Sequence, residues 1–222
     1  MNDMFNLIDL KTWPRGQMFH YFSEIVPTSY SMTVDLDITR FRKSLQERGF
    51  KFFPAYLWLV TKMLNEQIEF KVAKVDGRLG YWECLTPLYA HFHEDDRTIS
   101  LMWTVYDDDF HVFYRNYLEN QRAYGDNHGV LSQHHLLPPA NAYTVSSIPW
   151  IPFKHFAIHS VGDRPYYFPT IEVGKFREEH GKIKLPLSIT VHHATTDGWH
   201  VNQFLEDLQQ AMDHWDEACR SE

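Results

Sequence analysis

The chain has 222 residues, of which 44% are apolar and 16% aromatic, enough for a buried core and too apolar for a disordered chain. It carries 21 Lys and Arg against 29 Asp and Glu, a net charge of −8, which argues against nucleic-acid binding because phosphate neutralisation needs clustered basic residues. Cys84 and Cys219 lie far apart and match no metal or redox spacing, which excludes a disulfide scaffold.

No part of the chain is typical of a secretory signal or a membrane anchor. Residues 1–4 lack the basic charge of a signal peptide. The longest apolar run, residues 55–60, is far shorter than the ~20 residues that span a bilayer. Internal repeats and Gly/Ser linkers are absent from the sequence. We therefore expect one cytoplasmic domain over residues 1–222.

The first half of the chain predicts two helices between strands. Residues 30–36 alternate polar and apolar side chains as a strand does, and Asp37 is placed to cap a helix that ends at Gly49. Pro54 can open a second helix. Asp76-Gly77 predicts a tight hairpin turn. The further strand candidates are residues 70–75, 79–83, 88–93 and 99–106.

The second half predicts two more helices and three strands. Apolar residues at helical spacing mark one helix from Phe110 to Tyr117 and another from Val201 to Trp215. The strand candidates are residues 145–156, 170–176 and 183–192, in which Pro149, Pro152 and Pro186 must lie at edges or bends. Without a regular βαβ rhythm or a G-x-G-x-x-G motif, this order favours an α+β fold with helices packed on one sheet.

The segment 185–200 carries the most chemistry, since an apolar strand runs into two histidines and then into Asp-Gly and a helix. A histidine just past a strand end, such as His193, can be held rigidly, and a neutral imidazole accepts a proton near neutral pH. Asp197 can pair with a cation and pin the turn. The alternative is equally open: His193 is an ordinary turn histidine, and Asp197 only caps the last helix.

The surroundings of these histidines resemble the chloramphenicol acetyltransferase family. The string from His192 to His200 matches the signature H-H-A-x-x-D-G-[aromatic]-H. Further matching landmarks occur in family order, so the resemblance covers essentially the whole chain. These landmarks are Ile8-Asp9-Leu10, Trp13-Pro14-Arg15, Leu36-Asp37-Ile38-Thr39, Lys51-Phe52-Phe53-Pro54-Ala55, Phe92-His93-Glu94, Tyr106-Asp107-Asp108-Asp109-Phe110, Ser146-Ser147-Ile148-Pro149-Trp150, Gly174-Lys175 and Leu185-Pro186-Leu187.

The resemblance implies the CoA-dependent acyltransferase fold, with a mixed β-sheet covered by helices, and acetyl transfer from acetyl-CoA to a hydroxyl, foremost that of chloramphenicol. It implies His193 as general base, Ser146 as hydrogen-bond donor to the oxyanion, and Asp197 and Arg15 as a supporting ion pair. Both substrates would meet in one ternary complex, with no acyl-enzyme and no tightly bound cofactor. It also implies antibiotic resistance and a homotrimer with active sites between subunits.

Binding residues follow from the same resemblance. Lys51 and Lys175 are candidates for the CoA phosphates, and Trp150 and Phe176 for its pantetheine or adenine portion. The alternative is that both lysines, and Lys51 above all, are solvated surface groups. Tyr21, Phe22 and Tyr30 fall in the segment that lines the acceptor pocket, although aromatic residues are more often core. We expect no metal ligands among the site residues.

Three positions depart from the family pattern and leave the acceptor open. Phe22 and Phe176 stand where relatives often carry tyrosine. Glu172 stands where the better-known resistance enzymes have a small hydroxyl residue near the active site, and a carboxylate there would favour the charged imidazole of His193. An acetyltransferase for a different alcohol is therefore the main alternative.

Three further alternatives come from other protein classes. Dihydrolipoamide acyltransferases share an H-x-x-x-D-G signature but typically carry Asp-His-Arg, where this chain has His192-His193-Ala194. The 14 histidines, with pairs at His91/His93, His134/His135 and His192/His193, allow a metal-binding protein. A non-catalytic binding scaffold is disfavoured by the joint presence of the four catalytic candidates.

Overall fold

A mixed β-sheet organises the fold of this computed structural model, which describes residues 4–159 and 166–219. The strands of this sheet are β2 (Ser29–Asp37), β5 (Thr86–Phe92), β6 (Ile99–Trp103), β7 (Ala142–Ile148), β8 (Thr170–Gly174), β9 (Arg177–Glu179) and β10 (Lys182–His192). They follow the order β2-β10-β8-β7-β5-β6, with β9 paired to β10. A second, antiparallel sheet has the order β1-β4-β3, from β1 (Phe5–Leu7), β3 (Val72–Val75) and β4 (Arg78–Trp82).

Helices accompany both sheets in the described residues. They are α1 (Gly16–His20), α2 (Thr39–Arg48), α3 (Phe52–Asn65), α4 (Phe110–Tyr124), α5 (Gly198–Asp213) and α6 (Trp215–Ala218), with a π-helical turn at Tyr21–Ile25 and a 3₁₀ turn at Ile68–Lys71. Strand β7 pairs in parallel with β5 and β8, whereas β10 pairs antiparallel with β2, β8 and β9. The predicted α+β class with a mixed, helix-covered sheet is confirmed.

The two faces of the large sheet differ in polarity because side chains alternate along each strand. Leu187, Ile189 and Val191 of β10 are buried in the same apolar core as α3 and α5. The opposite face carries polar residues that lie in register across four strands, namely Thr33, Ser188, Glu172 and Ser146. Ser146, one of the candidate catalytic residues, therefore lies on this polar face.

Turn and cap residues behave largely as the sequence predicts, with shifts of one or two positions. The hairpin turn has Asp76 and Gly77 at φ 49° and 76°, and Gly49 ends α2 in the left-handed region at φ 74°. Helix α2 begins at Thr39, so Asp37 is not its N-cap, although its carboxylate accepts hydrogen bonds from the Thr39 amide and hydroxyl at 3.2 and 2.6 Å. Helix α3 begins at Phe52, before Pro54.

Several strand ends shift by one to three residues from those predicted, and two elements depart further. The strand expected over 145–156 ends at Ile148, next to Pro149, which cannot donate to a strand ladder. The last helix is interrupted after Asp213, so that Trp215 begins the separate helix α6. Both differences shorten an element without changing its place in the fold.

Pro186 lies in an interior strand rather than at an edge or bend as predicted. It faces Asp35 on β2. On its other side, the pairing with β9 ends at Lys184 and the pairing with β8 begins at Leu187. The missing N–H of Pro186 therefore falls where β10 changes partner, and the sheet loses little by it.

Residues 1–3, on which part of the signal-peptide prediction rests, lie outside the described residues. Among the helices that are described, none combines the length and the apolar character needed to cross a bilayer.

Candidate active site

His193 lies directly after β10, where its backbone and its ring are both held by carbonyl groups. Its amide donates to the Thr28 carbonyl at 2.8 Å. Its Nδ1 lies 3.2 Å from the Thr196 carbonyl, which can only accept, so Nδ1 carries the proton. Nε2 then holds the lone pair, and no described residue hydrogen-bonds it. The turn thus selects the tautomer that a general base needs.

Two aromatic side chains fix the plane of the half-buried imidazole. Phe22 lies against the ring at 4.0 Å between centroids, and Tyr30 meets it edge-on at 5.3 Å. The Tyr30 hydroxyl donates to the Thr196 carbonyl at 3.4 Å, the same acceptor that His193 uses. Burial and the nearby Asp197 charge raise the pKa of Tyr30 to about 12, so its hydroxyl keeps its proton. Both side chains therefore contact the imidazole itself.

Arg15 and Asp197 form the ion pair that the resemblance implies. The Arg15 guanidinium lies 2.7 Å from the Asp197 carboxylate, and its second nitrogen lies 3.5 Å from the His193 carbonyl. Asp197 also caps α5, because its carboxylate accepts from the Trp199 amide at 3.2 Å. Asp197 is thus a helix cap and an ion-pair partner at once, so the two predicted roles do not exclude each other.

The pKa of Asp197 reflects this pairing. Burial raises the pKa of the carboxyl, but the Arg15 hydrogen bond and the charges of His200 and Arg15 outweigh that effect and hold it below its ordinary value. The carboxylate is therefore charged at neutral pH, and the ion pair joins the residue that caps α5 to the arginine that precedes α1.

Ser146 is not close to His193 within one chain. It lies in register with Glu172, which faces Ser188, and His193 follows Ser188 by five residues along β10. Five residues at ~3.3 Å each and two strand spacings of ~4.8 Å separate the two Cα positions by roughly 19 Å. A single acceptor hydroxyl and thioester cannot contact both groups across that distance. The structure of one chain therefore does not bring the two predicted catalytic side chains together.

Glu172 neighbours Ser146 rather than His193 in the single chain. Its side chain is fully buried, and neither carboxylate oxygen has a hydrogen-bond partner among the described residues. Burial raises the pKa of Glu172 to about 7, against the weaker opposing influence of the Thr170 hydroxyl and the Ile158 amide, neither of which reaches hydrogen-bond geometry. An unpaired carboxyl at this depth is costly, and carboxyls with pKa values shifted in this way are frequent at functional sites.

Three of the four residues proposed for acetyl-CoA lie together where the parallel strands β7 and β8 end. Trp150 is 58% exposed and packs edge-on against Phe92 at 4.8 Å. Lys175 is exposed, and its amide donates to the Ile151 carbonyl. Phe176 is 40% exposed, with the Arg42 guanidinium 4.4 Å from its ring centre. Exposed aromatic rings beside cations are suited to a nucleotide with phosphates.

Lys51 and Tyr21 have less defined surroundings. Lys51 is exposed immediately before α3, and its amide donates to the Tyr114 hydroxyl at 3.0 Å, which fixes its backbone but leaves its ammonium group in solvent. Tyr21 is 47% exposed and packs edge-on against Phe22 at 5.1 Å. Tyr21 thus packs against Phe22, which in turn packs against the imidazole of His193.

Histidines do approach one another elsewhere, at the β5–β6 end of the sheet. His93, Asp95 and His128 bring one possible ligand atom each within 4.8 Å of the others. The two ring nitrogens of His128 lie 3.2 and 2.8 Å from the carboxylates of Asp95 and Asp96. Both ring nitrogens of His128 thus already face carboxylates. His192, in contrast, packs against Tyr167 on another part of the sheet.

Two groups in these sites were not anticipated from the sequence. The Thr196 carbonyl is a backbone group, and no side-chain pattern identifies such an acceptor. Arg42 reaches Phe176 from a helix more than 130 positions earlier in the chain, so only the packing of α2 beside β10 could reveal it. The π-helical turn that carries Tyr21 and Phe22 likewise has no pattern in the sequence that predicts it.

Comparisons with known proteins agree over nearly the whole chain. A family model described as chloramphenicol acetyltransferase matches residues 1–209. Chloramphenicol acetyltransferases from Clostridium perfringens and Bacillus pumilus are 37% and 35% identical over 217 and 214 residues, and each alignment covers 96% of both chains.

Solved structures agree in fold. A chloramphenicol acetyltransferase superposes with a TM-score of 0.82 at 22% identity, covering 93% of this chain and 99% of that one. A dihydrolipoamide acetyltransferase from Azotobacter vinelandii reaches a TM-score of 0.61 at 15% identity, covering 87% of this chain and 84% of that one. Together with the sequence matches, these findings show that the chain belongs to the chloramphenicol acetyltransferase family.

Proposed function

We propose that this protein transfers the acetyl group of acetyl-CoA to a hydroxyl of chloramphenicol. The observation that carries the proposal is the tautomer of His193: Nδ1–H faces the Thr196 carbonyl, and Nε2 is left as a base. The activity named for the relatives from Clostridium perfringens and Bacillus pumilus supports the choice of substrates.

The chemistry is a direct transfer in which His193 carries one proton. Nε2 takes the proton from the acceptor hydroxyl while that oxygen forms a bond to the thioester carbonyl carbon. Ser146 donates a hydrogen bond to the resulting oxyanion. The C–S bond then breaks, and the imidazolium returns the proton to the departing CoA thiolate. A placed base contributes typically ~10²–10⁴-fold, and an oxyanion donor ~10²–10³-fold.

For acetyl-CoA, the exposed group of Trp150, Lys175 and Phe176 is the proposed contact surface, with Lys51 as a more distant candidate for a phosphate. Tyr21 is proposed to reach the acceptor. Phe22 and Tyr30 contact the imidazole directly, so their proposed role is to hold the ring as well as to line the acceptor pocket. Arg15 and Asp197 are proposed to hold the turn that carries the base.

The direct test is acceptor-dependent release of CoA from acetyl-CoA against a panel of alcohols headed by chloramphenicol. We expect release only when an acceptor is present, with acetylated chloramphenicol as the product by chromatography. If another alcohol is acetylated in preference to chloramphenicol, the proposed reaction stands and the proposed acceptor is wrong. Release that does not depend on any acceptor would contradict the proposal.

The separation of His193 from Ser146 supports a site that is built by two chains. If each site takes its base from one subunit and its oxyanion donor from the next, then the roughly 19 Å within one chain is no obstacle. Apolar side chains around His193 remain exposed in the single chain, including Tyr21 (47%), Ile25 (59%) and Trp199 (67%), as expected for a surface that a partner covers. We propose a homotrimer, as the family resemblance implies.

Mixing two inactive variants tests the shared site. His193→Ala and Ser146→Ala chains, unfolded together and refolded as mixed assemblies, should regain acetyl transfer, because some interfaces then join an intact His193 to an intact Ser146. Light scattering should give the mass of three chains of 26.4 kDa each. A stable monomer that retains activity, or mixed assemblies no more active than the separate variants, would refute the two-chain site.

A further inference from the structure

Glu172 is a buried residue whose carboxyl has no role in the proposed reaction. It lies on β8 between β7 and β10, with no exposed surface, and both of its oxygens lack hydrogen-bond partners among the described residues. No described cation compensates its charge, since only burial and two weak dipoles act on it. Natural proteins rarely leave a buried carboxyl without a partner unless it acts in function.

The strand register shows which group this carboxyl can serve. Its neighbours across the ladder are Ser188 on β10 and Ser146 on β7. The Ser188 hydroxyl is already engaged, since it donates to the Phe156 carbonyl and shares a 2.9 Å hydrogen bond with Thr33. The half-buried Ser146 hydroxyl has no hydrogen-bond partner among the described residues. Side chains in register on adjacent strands lie ~5 Å apart at Cβ, within reach of a glutamate.

We propose that Glu172 is a positioning residue that directs the Ser146 hydroxyl toward the oxyanion of the acetyl transfer. The carboxyl makes no hydrogen bond in the single chain, and when protonated it turns toward Ser146 and donates its O–H to Ser146 Oγ. The serine proton is then free to point at the oxyanion, so that two hydrogen bonds run in one direction and strengthen each other. An ionised carboxylate reverses the direction of the first hydrogen bond, because it accepts from the serine O–H, which is then no longer available to the oxyanion.

The direction of the pH effect follows from the burial of Glu172. Burial raises the pKa of this carboxyl to about 7, so the protonated form is present at and below neutral pH and is lost above it. The Glu172 charge acts on the hydroxyl of Tyr56 on α3, but burial is the larger cause that raises the pKa of Tyr56 and keeps it neutral. On β2, at the far end of this polar row, the Thr33 hydroxyl lies 3.4 Å from Nδ1 of His155. Between pH 7 and 9, ionisation of Glu172 should therefore turn the Ser146 hydroxyl away from the oxyanion and lower kcat.

The test is a pH profile of kcat and KM for acetyl transfer by wild type, Glu172→Gln and Ser146→Ala, measured by chromatography of the acetylated product. The inference rests on the proposed acetyl transfer. For wild type we expect kcat to fall roughly 30- to 50-fold between pH 7 and pH 9, with little change in KM for acetyl-CoA. Glu172→Gln keeps a donor at every pH, so its kcat should stay within a few-fold over that range.

Ser146→Ala separates positioning from a general effect of the buried charge. Its kcat is low but should no longer fall above pH 7, since no serine hydroxyl remains to be reversed. Thermal unfolding at pH 8 gives a second readout, because Glu172→Gln relieves a buried charge and should raise Tm. The inference is overturned if wild type shows no basic decline, or if the decline persists in either variant. Wild type that acetylates no acceptor at any pH would instead overturn the proposed function itself.

Discussion

Replacing His193 with alanine is expected to lower kcat for acetyl transfer by ~10²–10⁴-fold, with much smaller changes in KM for either substrate. The reason is that the imidazole is the proposed base for the acceptor proton, while the ion pair and the strands that hold the turn are separate from the ring. Steady-state kinetics with acetyl-CoA and chloramphenicol measure both parameters. Far-UV circular dichroism confirms that the variant folds.

The adjacent histidine provides the matched control. His192 is buried, packs against Tyr167, and accepts a hydrogen bond from the Ala194 amide at 3.2 Å through Nδ1. His192→Asn keeps an acceptor near that position, so its kcat should stay within about tenfold of wild type. Should His193→Ala keep full activity while His192→Asn loses it, the base has been assigned to the wrong ring.

Loss of the Asp197 charge is expected to cost stability and activity together. Asp197→Asn removes the partner of Arg15, whose side chain is only 12% exposed, and stranding that charge should cost ~3 kcal/mol, the low end for a buried pair because Asp197 itself is 35% exposed. Since the second nitrogen of Arg15 contacts the His193 carbonyl, the base should also lose its fixed position and kcat should fall. Urea unfolding at one fixed protein concentration measures the stability.

A second substitution at the same position separates the two roles of Asp197. Asparagine still caps α5, whereas Asp197→Ala loses the cap as well and should be about 1 kcal/mol less stable than Asp197→Asn. The ion-pair contribution has a defined pH range, because the folded-state pKa of Asp197 is lowered: it is complete above the unfolded pKa near 4 and is lost as the pH falls through the lower folded value. Equal stabilities of wild type and Asp197→Asn at pH 7 would show that the pair only orients the turn.

Local patterns predicted the elements whose ends depend on backbone conformation. Asp76-Gly77 and Gly49 adopt positive φ, as their residue types favour, and the hairpin and the end of α2 lie where the sequence places them. Limits that depend on tertiary contacts were less predictable. Pro186 lies inside a sheet because β10 changes neighbours at that residue, and no local rule contains that information.

The sequence by itself determined the family and the identity of the chemical groups. A histidine pair followed by Asp-Gly-Trp-His, in order with the other landmarks, resembles the family signature, and this resemblance implies His193 as the base and Arg15 with Asp197 as its supporting ion pair. Only the tertiary structure decided how these groups are arranged. Which nitrogen of His193 is the base depends on the Thr196 carbonyl, and the distance of His193 from Ser146 depends on strand order. The position of Glu172 next to Ser146 likewise depends on the register between β8 and β7. Pairing between strands that are distant in the chain sets this register, and residue type alone does not reveal it.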